Sequence, residues 1–117
     1  MSDLSDYAEG VLLAALTDRP YIQLHTGAPG EAGTANVATE TDRQQVTMGA
    51  ASSGTRTSTS ALEWLDVAAD ERITHVSAWD ASSAGNCEWV AALASARDLE
   101  RGNTFQIATG DLTFSLD

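Results

Sequence analysis

Two histidines are the first side chains that could do chemistry near neutral pH. His25 ends the run Tyr21-Ile22-Gln23-Leu24-His25 and opens onto Thr26-Gly27-Ala28-Pro29-Gly30-Glu31-Ala32-Gly33, a stretch dense in turn residues. It could serve there as a general base, but a base needs a placed nucleophile, and the local sequence supplies none. A polar residue at a strand end is the simpler expectation. His75 lies in Ile73-Thr74-His75-Val76-Ser77-Ala78-Trp79-Asp80 and shares a face of that alternating run with Ile73, Ser77 and Trp79. A packed, hydrogen-bonded imidazole is expected there. Two distant histidines and one cysteine, Cys87, do not give metal-ligand spacing. One cysteine forms no internal disulfide, and the run Cys87-Glu88-Trp89-Val90 predicts a buried thiol. The acids contain no D-x-[DN]-x-[DN]-G calcium loop, and Asp66, Asp70 and Glu71 read as a solvated acidic loop. Thr26–Gly30 lacks the lysine of a phosphate loop, and no G-x-S-x-G elbow occurs. The expectation is no catalytic residue, no cofactor and no metal.

The elements that would position these residues follow from periodicity. Leu4, Ala8, Val11, Leu12, Ala15 and Leu16 recur at helical spacing and predict a helix over 4–16, with Ser2, Asp3 and Ser5 as candidate caps. Asp18-Arg19-Pro20 ends it. Residues 21–25 alternate as a strand, with Ile22 and Leu24 on one face. The loop after His25 runs to about Ala38, long enough to suggest a role beyond connection. Further strands are expected at 43–48, 55–60, 62–65, 73–80, 87–93, 104–107 and 112–116, the last two forming a pair. Residues 55–60 read as an exposed edge or arm. The clearest hairpin joins 73–80 to 87–93 through Ser82-Ser83-Ala84-Gly85-Asn86. One helix and about seven short strands at regular turn spacing predict an all-β fold, a small jelly-roll-like β-sandwich. The chain of 117 residues reads as a single domain, 1–117, with the helix at 4–16 and the sandwich over 21–117.

Composition narrows the partners. Seventeen acids against six bases give a formal net charge of −11, and all six bases are arginine. Such an excess of acids keeps a surface hydrated and self-repelling, and molar salt shortens the Debye length to about 3 Å and relaxes the repulsion. The chain is expected to work in concentrated brine. Six scattered arginines make no basic patch, so nucleic acid is excluded, and anionic membrane surfaces are disfavoured. No run is long enough for a membrane-spanning helix. The acidic start, Met1-Ser2-Asp3-Leu4-Ser5-Asp6, lacks the basic opening of a signal peptide, which predicts assembly in a cytoplasm. Among the tryptophans, Trp79 and Trp89 are expected to pack together across the hairpin. Trp64, in a short strand between polar segments, is the better interface candidate.

Several segments together resemble a family of small tailed-phage structural proteins commonly labelled phage tail fibre proteins. They are Leu24-His25-Thr26-Gly27-Ala28-Pro29-Gly30 with Gly33-Thr34-Ala35-Asn36, then Asp42-Arg43-Gln44-Gln45-Val46, Thr74–Asp80, and Gly85-Asn86 with Trp89 and Ala92-Leu93. Gly102-Asn103-Thr104-Phe105 and Gly110–Asp117 complete the match, which runs in order through nearly the whole chain. Ala28 and Asp42 depart from the family pattern, where aspartate and alanine are usual. The resemblance implies a non-enzymatic virion protein, placed by the salt signature on a haloarchaeal tailed virus. It would act by symmetric assembly with its own copies, as trimers or pentamers, and with capsid or tail proteins. A compact chain without a repetitive shaft favours a head decoration or turret protein over a tail-fibre subunit. A displayed module that binds a host surface or glycan is the alternative. The residues expected at contacts are His25, Thr26, Pro29, Asn36, Arg43 and Trp64.

Overall fold

A computed structural model of the chain describes residues 5–52 and 54–115. Ser5 caps a nine-residue helix, α1 (Asp6–Ala14), by accepting a hydrogen bond from the Ala8 N–H at 3.2 Å. The helix is shorter than its apolar pattern suggests, and Ser2 and Asp3 lie outside the described residues. Leu13 is fully buried, while Tyr7, Val11 and Leu12 are 83%, 51% and 49% exposed. Its C-terminus is fastened from a distance. Arg56 is 4% exposed and donates from Nη1 to the carbonyls of Leu13 (3.1 Å) and Leu16 (3.4 Å), from Nε to Gly49 (2.8 Å), and from Nη2 to Asp18 Oδ1 (2.7 Å). Carbonyls at and just past a helix C-terminus are short of helical N–H partners, and a cation is favoured at that end.

Eight strands follow: β1 (Tyr21–His25), β2 (Gln44–Gln45), β3 (Thr55–Thr57), β4 (Leu62–Trp64), β5 (Glu71–Trp79), β6 (Cys87–Leu99), β7 (Phe105–Ile107) and β8 (Thr113–Ser115). The main sheet has the order β2-β1-β5-β6, and β3-β8 and β4-β7 form two antiparallel ribbons. The pairs β5-β6, β4-β7 and β3-β8 nest one inside another, as in a long hairpin folded over itself. This is a small all-β fold, as the turn spacing predicts. Ile22 and Leu24 of β1 and Ile73, Val76 and Ala78 of β5 share one core with Leu62, Trp64, Phe105, Ile107 and Phe114 from the ribbons.

Three pairing expectations are corrected. β7 and β8 do not pair. A tight turn, with Asp111 N–H donating to the Ala108 carbonyl and Gly110 at φ 88°, separates them, and each joins an earlier strand. The inward Phe105 and Ile107 lie opposite Trp64 and Leu62, so burial selects the distant partner. Next, β6 continues to Leu99 instead of stopping near Leu93. Finally, of the edge or arm expected at 55–60, the edge strand is what forms, but it is not exposed throughout: β3 pairs with β8 in a two-stranded ribbon and carries the buried Arg56.

Of the acids at 66–71, Asp66 and Asp70 are exposed, as a solvated acidic loop predicts, whereas Glu71 is half-buried at the start of β5. Asp70 accepts the Arg101 N–H at 2.7 Å, and Glu71 accepts the N–H groups of Thr39 (2.7 Å) and Glu40 (3.3 Å). Here carboxylates tie loops together by satisfying backbone donors. No described helix is long and apolar enough to cross a membrane.

Candidate functional site: the loop-covered face of the sheet

Strand β1 is buried on both sides. Ile22 and Leu24 lie opposite Ala78 and Val76 on the core face, while Tyr21, Gln23 and His25 lie opposite Trp79, Ser77 and His75 on the other. This second face is polar, yet Gln23, His25, Ser77 and Trp79 are all under 9% exposed. The segment after β1 folds back and covers them.

His25 is the fastening point. Trp79 Nε1 donates to Ser77 Oγ at 2.7 Å, the Ser77 hydroxyl contacts His25 Nε2 at 2.7 Å, and His25 Nδ1 lies 2.9 Å from the Ala35 carbonyl. A carbonyl only accepts, so Nδ1 carries a proton. With its pKa held below 6.5 the imidazole is neutral near pH 7, and the Ser77 hydroxyl, which accepts the Trp79 indole N–H, then donates to Nε2. Burial holds the His25 pKa below its ordinary 6.5, the Ala35 and Asn36 carbonyls pull it partly back, and nearby His75 adds a small further lowering.

A serine 2.7 Å from a histidine invites comparison with a nucleophile and its base. The surroundings oppose it. Both residues are 0% exposed, so no substrate can reach Oγ. The far ring nitrogen meets a backbone carbonyl, not the carboxylate that would stabilise an imidazolium. His75 is bonded locally, Nδ1 to Thr74 Oγ1 at 2.7 Å. Among the described residues, no three His, Cys, Asp or Glu side chains group as a metal site.

The loop carries its own bracing. Thr26 N–H donates to the Asn36 carbonyl (2.9 Å), Ala35 N–H to Pro29 (3.0 Å), and Ala38 N–H to Leu24 (3.1 Å). Asn36 adopts φ 53°, which asparagine tolerates better than most residues, and its amide donates to the Ala28 carbonyl at 2.9 Å. Gly33, at φ 72°, presses on the sheet. A Cβ there would lie 2.5 Å from Cys87 Sγ and 3.1 Å from the Trp79 ring. At the far end Arg43 lays its guanidinium 4.1 Å from the centroid of the Trp79 ring and donates to the carbonyls of Ala81 (3.0 Å) and Ala84 (2.8 Å). The hairpin turn it grips is closed by Asp80. That carboxylate accepts from the Asn86 N–H and amide, which hold its pKa below the usual value.

The structure thus brings five of the six expected contact residues into one loop-fastening assembly. Thr26 and Asn36 are exposed, Arg43 is half-buried, and His25 and Pro29 are buried. Trp64 lies elsewhere, 1% exposed, stacked at a tilt 5.6 Å from Phe105 and donating from Nε1 to the Asp42 carbonyl at 2.8 Å. His25, Pro29 and Trp64 are buried within the chain, which leaves Thr26, Asn36 and Arg43 as the accessible members of the six. Trp79 and Trp89 do not meet either. Trp79 faces the loop, while Trp89 stacks on Phe114 at 5.0 Å. Sequence reasoning missed Ser77 as the centre of the network, and Gly33 and Arg56 as struts. The inward parity of Ser77 with His25 was visible only once β1 and β5 were known to pair.

A family profile for the Podophage GP4 fiber I protein gp80 matches residues 4–115, a span that includes the whole of this assembly. Comparison with curated proteins gives no match. With nearly its entire length matched, the chain belongs to the podophage GP4 fiber I protein gp80 family and is a structural virion protein of the fibre type.

Proposed function

We propose that the chain is a non-enzymatic subunit of a tail fibre, working by symmetric self-association and by contact with other virion proteins. The observation that carries this reading is the family match over residues 4–115. It favours a fibre over the head decoration that compactness alone suggested. The sealed Ser77–His25 pair supports the absence of catalysis. The exposed apolar side of α1, with Tyr7, Val11 and Leu12, is the surface assigned to contact between copies as trimers or pentamers. Thr26 and Asn36 are the loop residues open to a neighbour. Assembly takes place in the host cytoplasm. Labelling this chain in native particles tests the assignment: signal on tail appendages is expected, and signal confined to the head would overturn it.

The setting we assign is a haloarchaeal virus in brine. The net charge of −11 without lysine supports it, because screening relieves self-repulsion. The melting temperature should rise steadily from low to molar salt. A flat or falling curve would remove the halophilic reading and leave the fibre assignment standing.

A further inference from the structure

The main sheet contains an irregularity remote from the loop. Between the pairs Ile73↔Arg97 and His75↔Ala92, β5 spends one residue, Thr74, while β6 spends four, residues 93–96. The excess chain bows β6 away from its partner, the usual effect of a bulge and one that recurs at binding sites. A cleft of about 250 Å³ opens there, lined by Leu93, Ser95, Arg97, Ile107 and Asp111. One wall is the bulge itself. The other is the end of β7 and the turn that Gly110 makes possible at φ 88°.

The lining has a definite chemical character. Ile107 is 3% exposed and Leu93 half-buried, which gives an apolar floor, while Ser95, Arg97 and Asp111 are exposed at the rim. Among the described residues the ion pairs are Arg56–Asp18 and Arg72–Asp98, so Arg97 and Asp111 line one cleft without bridging each other. Arg97 lies over the Phe105 ring, 5.2 Å from its centroid. A cation, a carboxylate and a hydroxyl around an apolar floor suit a ligand that offers both hydroxyl donors and acceptors on a C–H face. The volume falls just below the roughly 300–1,000 Å³ of most ligand pockets, which limits the occupant to one ring. The net charge of −11 and Asp111 itself disfavour an acidic ligand.

We infer that this cleft binds a single neutral sugar unit of a surface glycan. The inference rests on the fibre reading, since many copies on one appendage would turn weak single-site binding into avidity. The sugar step itself is tested on the isolated chain. Glucose, galactose, mannose and N-acetylglucosamine are titrated to millimolar levels, with glucuronate as the acidic arm, while backbone amides are followed by NMR. Saturable shifts confined to 93–97 and 107–111 with at least one neutral sugar are expected. R97Q and D111N should each weaken them about tenfold or more, the loss expected when a charged hydrogen-bond partner is removed. D98N, at the Arg72 ion pair, should leave them unchanged. No saturable shift with any neutral sugar, tighter binding of glucuronate, or shifts that survive both R97Q and D111N would overturn the inference. None of these outcomes bears on whether the chain sits in a fibre.

Discussion

The two faces of the β2-β1-β5-β6 sheet bury their side chains by different means. The core face uses Ile22, Leu24, Val76 and Ala78 against the ribbons, and its cohesion is apolar area removed from water. The other face uses Gln23, His25, Ser77 and Trp79 under a loop, and its cohesion is a directional hydrogen-bond chain. Apolar packing tolerates changes that keep volume. A buried polar network tolerates little, because each orphaned group keeps its full desolvation cost. That difference explains why the residues resembling a site, His25 above all, are the ones holding a long loop in a single place.

Breaking the core face should have the largest effect. Trp64→Ala removes a 1% exposed ring packed on Phe105 and its bond to Asp42, and should cost about 3–5 kcal/mol in denaturant unfolding. A loss within experimental error would mean that Trp64 is not core. Gly33→Ala comes next and separates the faces. The left-handed conformation costs a side chain about 1–2 kcal/mol and overpacking about 1–3 kcal/mol more. The expected outcome is local: the loop lifts, the half-buried Cys87 thiol reacts faster, and amides of Ile22 and Leu24 stay protected. Unchanged thiol reactivity would contradict the packed position of Gly33. Ser77→Ala sharpens the contrast further. It strands His25 Nε2 and Trp79 Nε1 at once, for about 1–3 kcal/mol, with faster amide exchange at Thr26 and Ala38. A neutral result would show that the hydrogen-bond chain adds nothing to the docked loop.

The contrast also marks what was legible in the sequence. The core face was readable, because Ile22 and Leu24 alternate with polar neighbours and period two needs no partner to be seen. The hairpin at 82–86 was readable from its turn residues. The polar face was not: burial of Gln23 and His25 depends on a loop folding back over 26–43, which no local pattern encodes. Trp64 reads as an interface candidate because polar segments flank its short strand, yet a three-residue strand leaves too short a pattern to judge which side is buried. Likewise β7 and β8 are near neighbours in sequence, and only the burial of Phe105 and Ile107 against β4 sends them to different partners. The helix stripe shows the reverse: a regular apolar pattern in which Leu13 is buried while Val11 and Leu12 stay about half exposed.

The central claim is that His25 is a strut that is neutral at pH 7 rather than a catalytic group, and NMR of its imidazole nitrogens across pH 4–8 tests it most directly. A folded pKa below the unfolded value near 6.5 means that the unfolded chain binds the extra proton. The His25 contribution to stability is therefore complete above about 6.5 and is lost as pH falls from there through the folded pKa. The account predicts a proton on Nδ1 at neutral pH, a midpoint below 6.5, and loop amides that lose protection in step with it. A proton on Nε2, or a midpoint at or above 6.5, would contradict it.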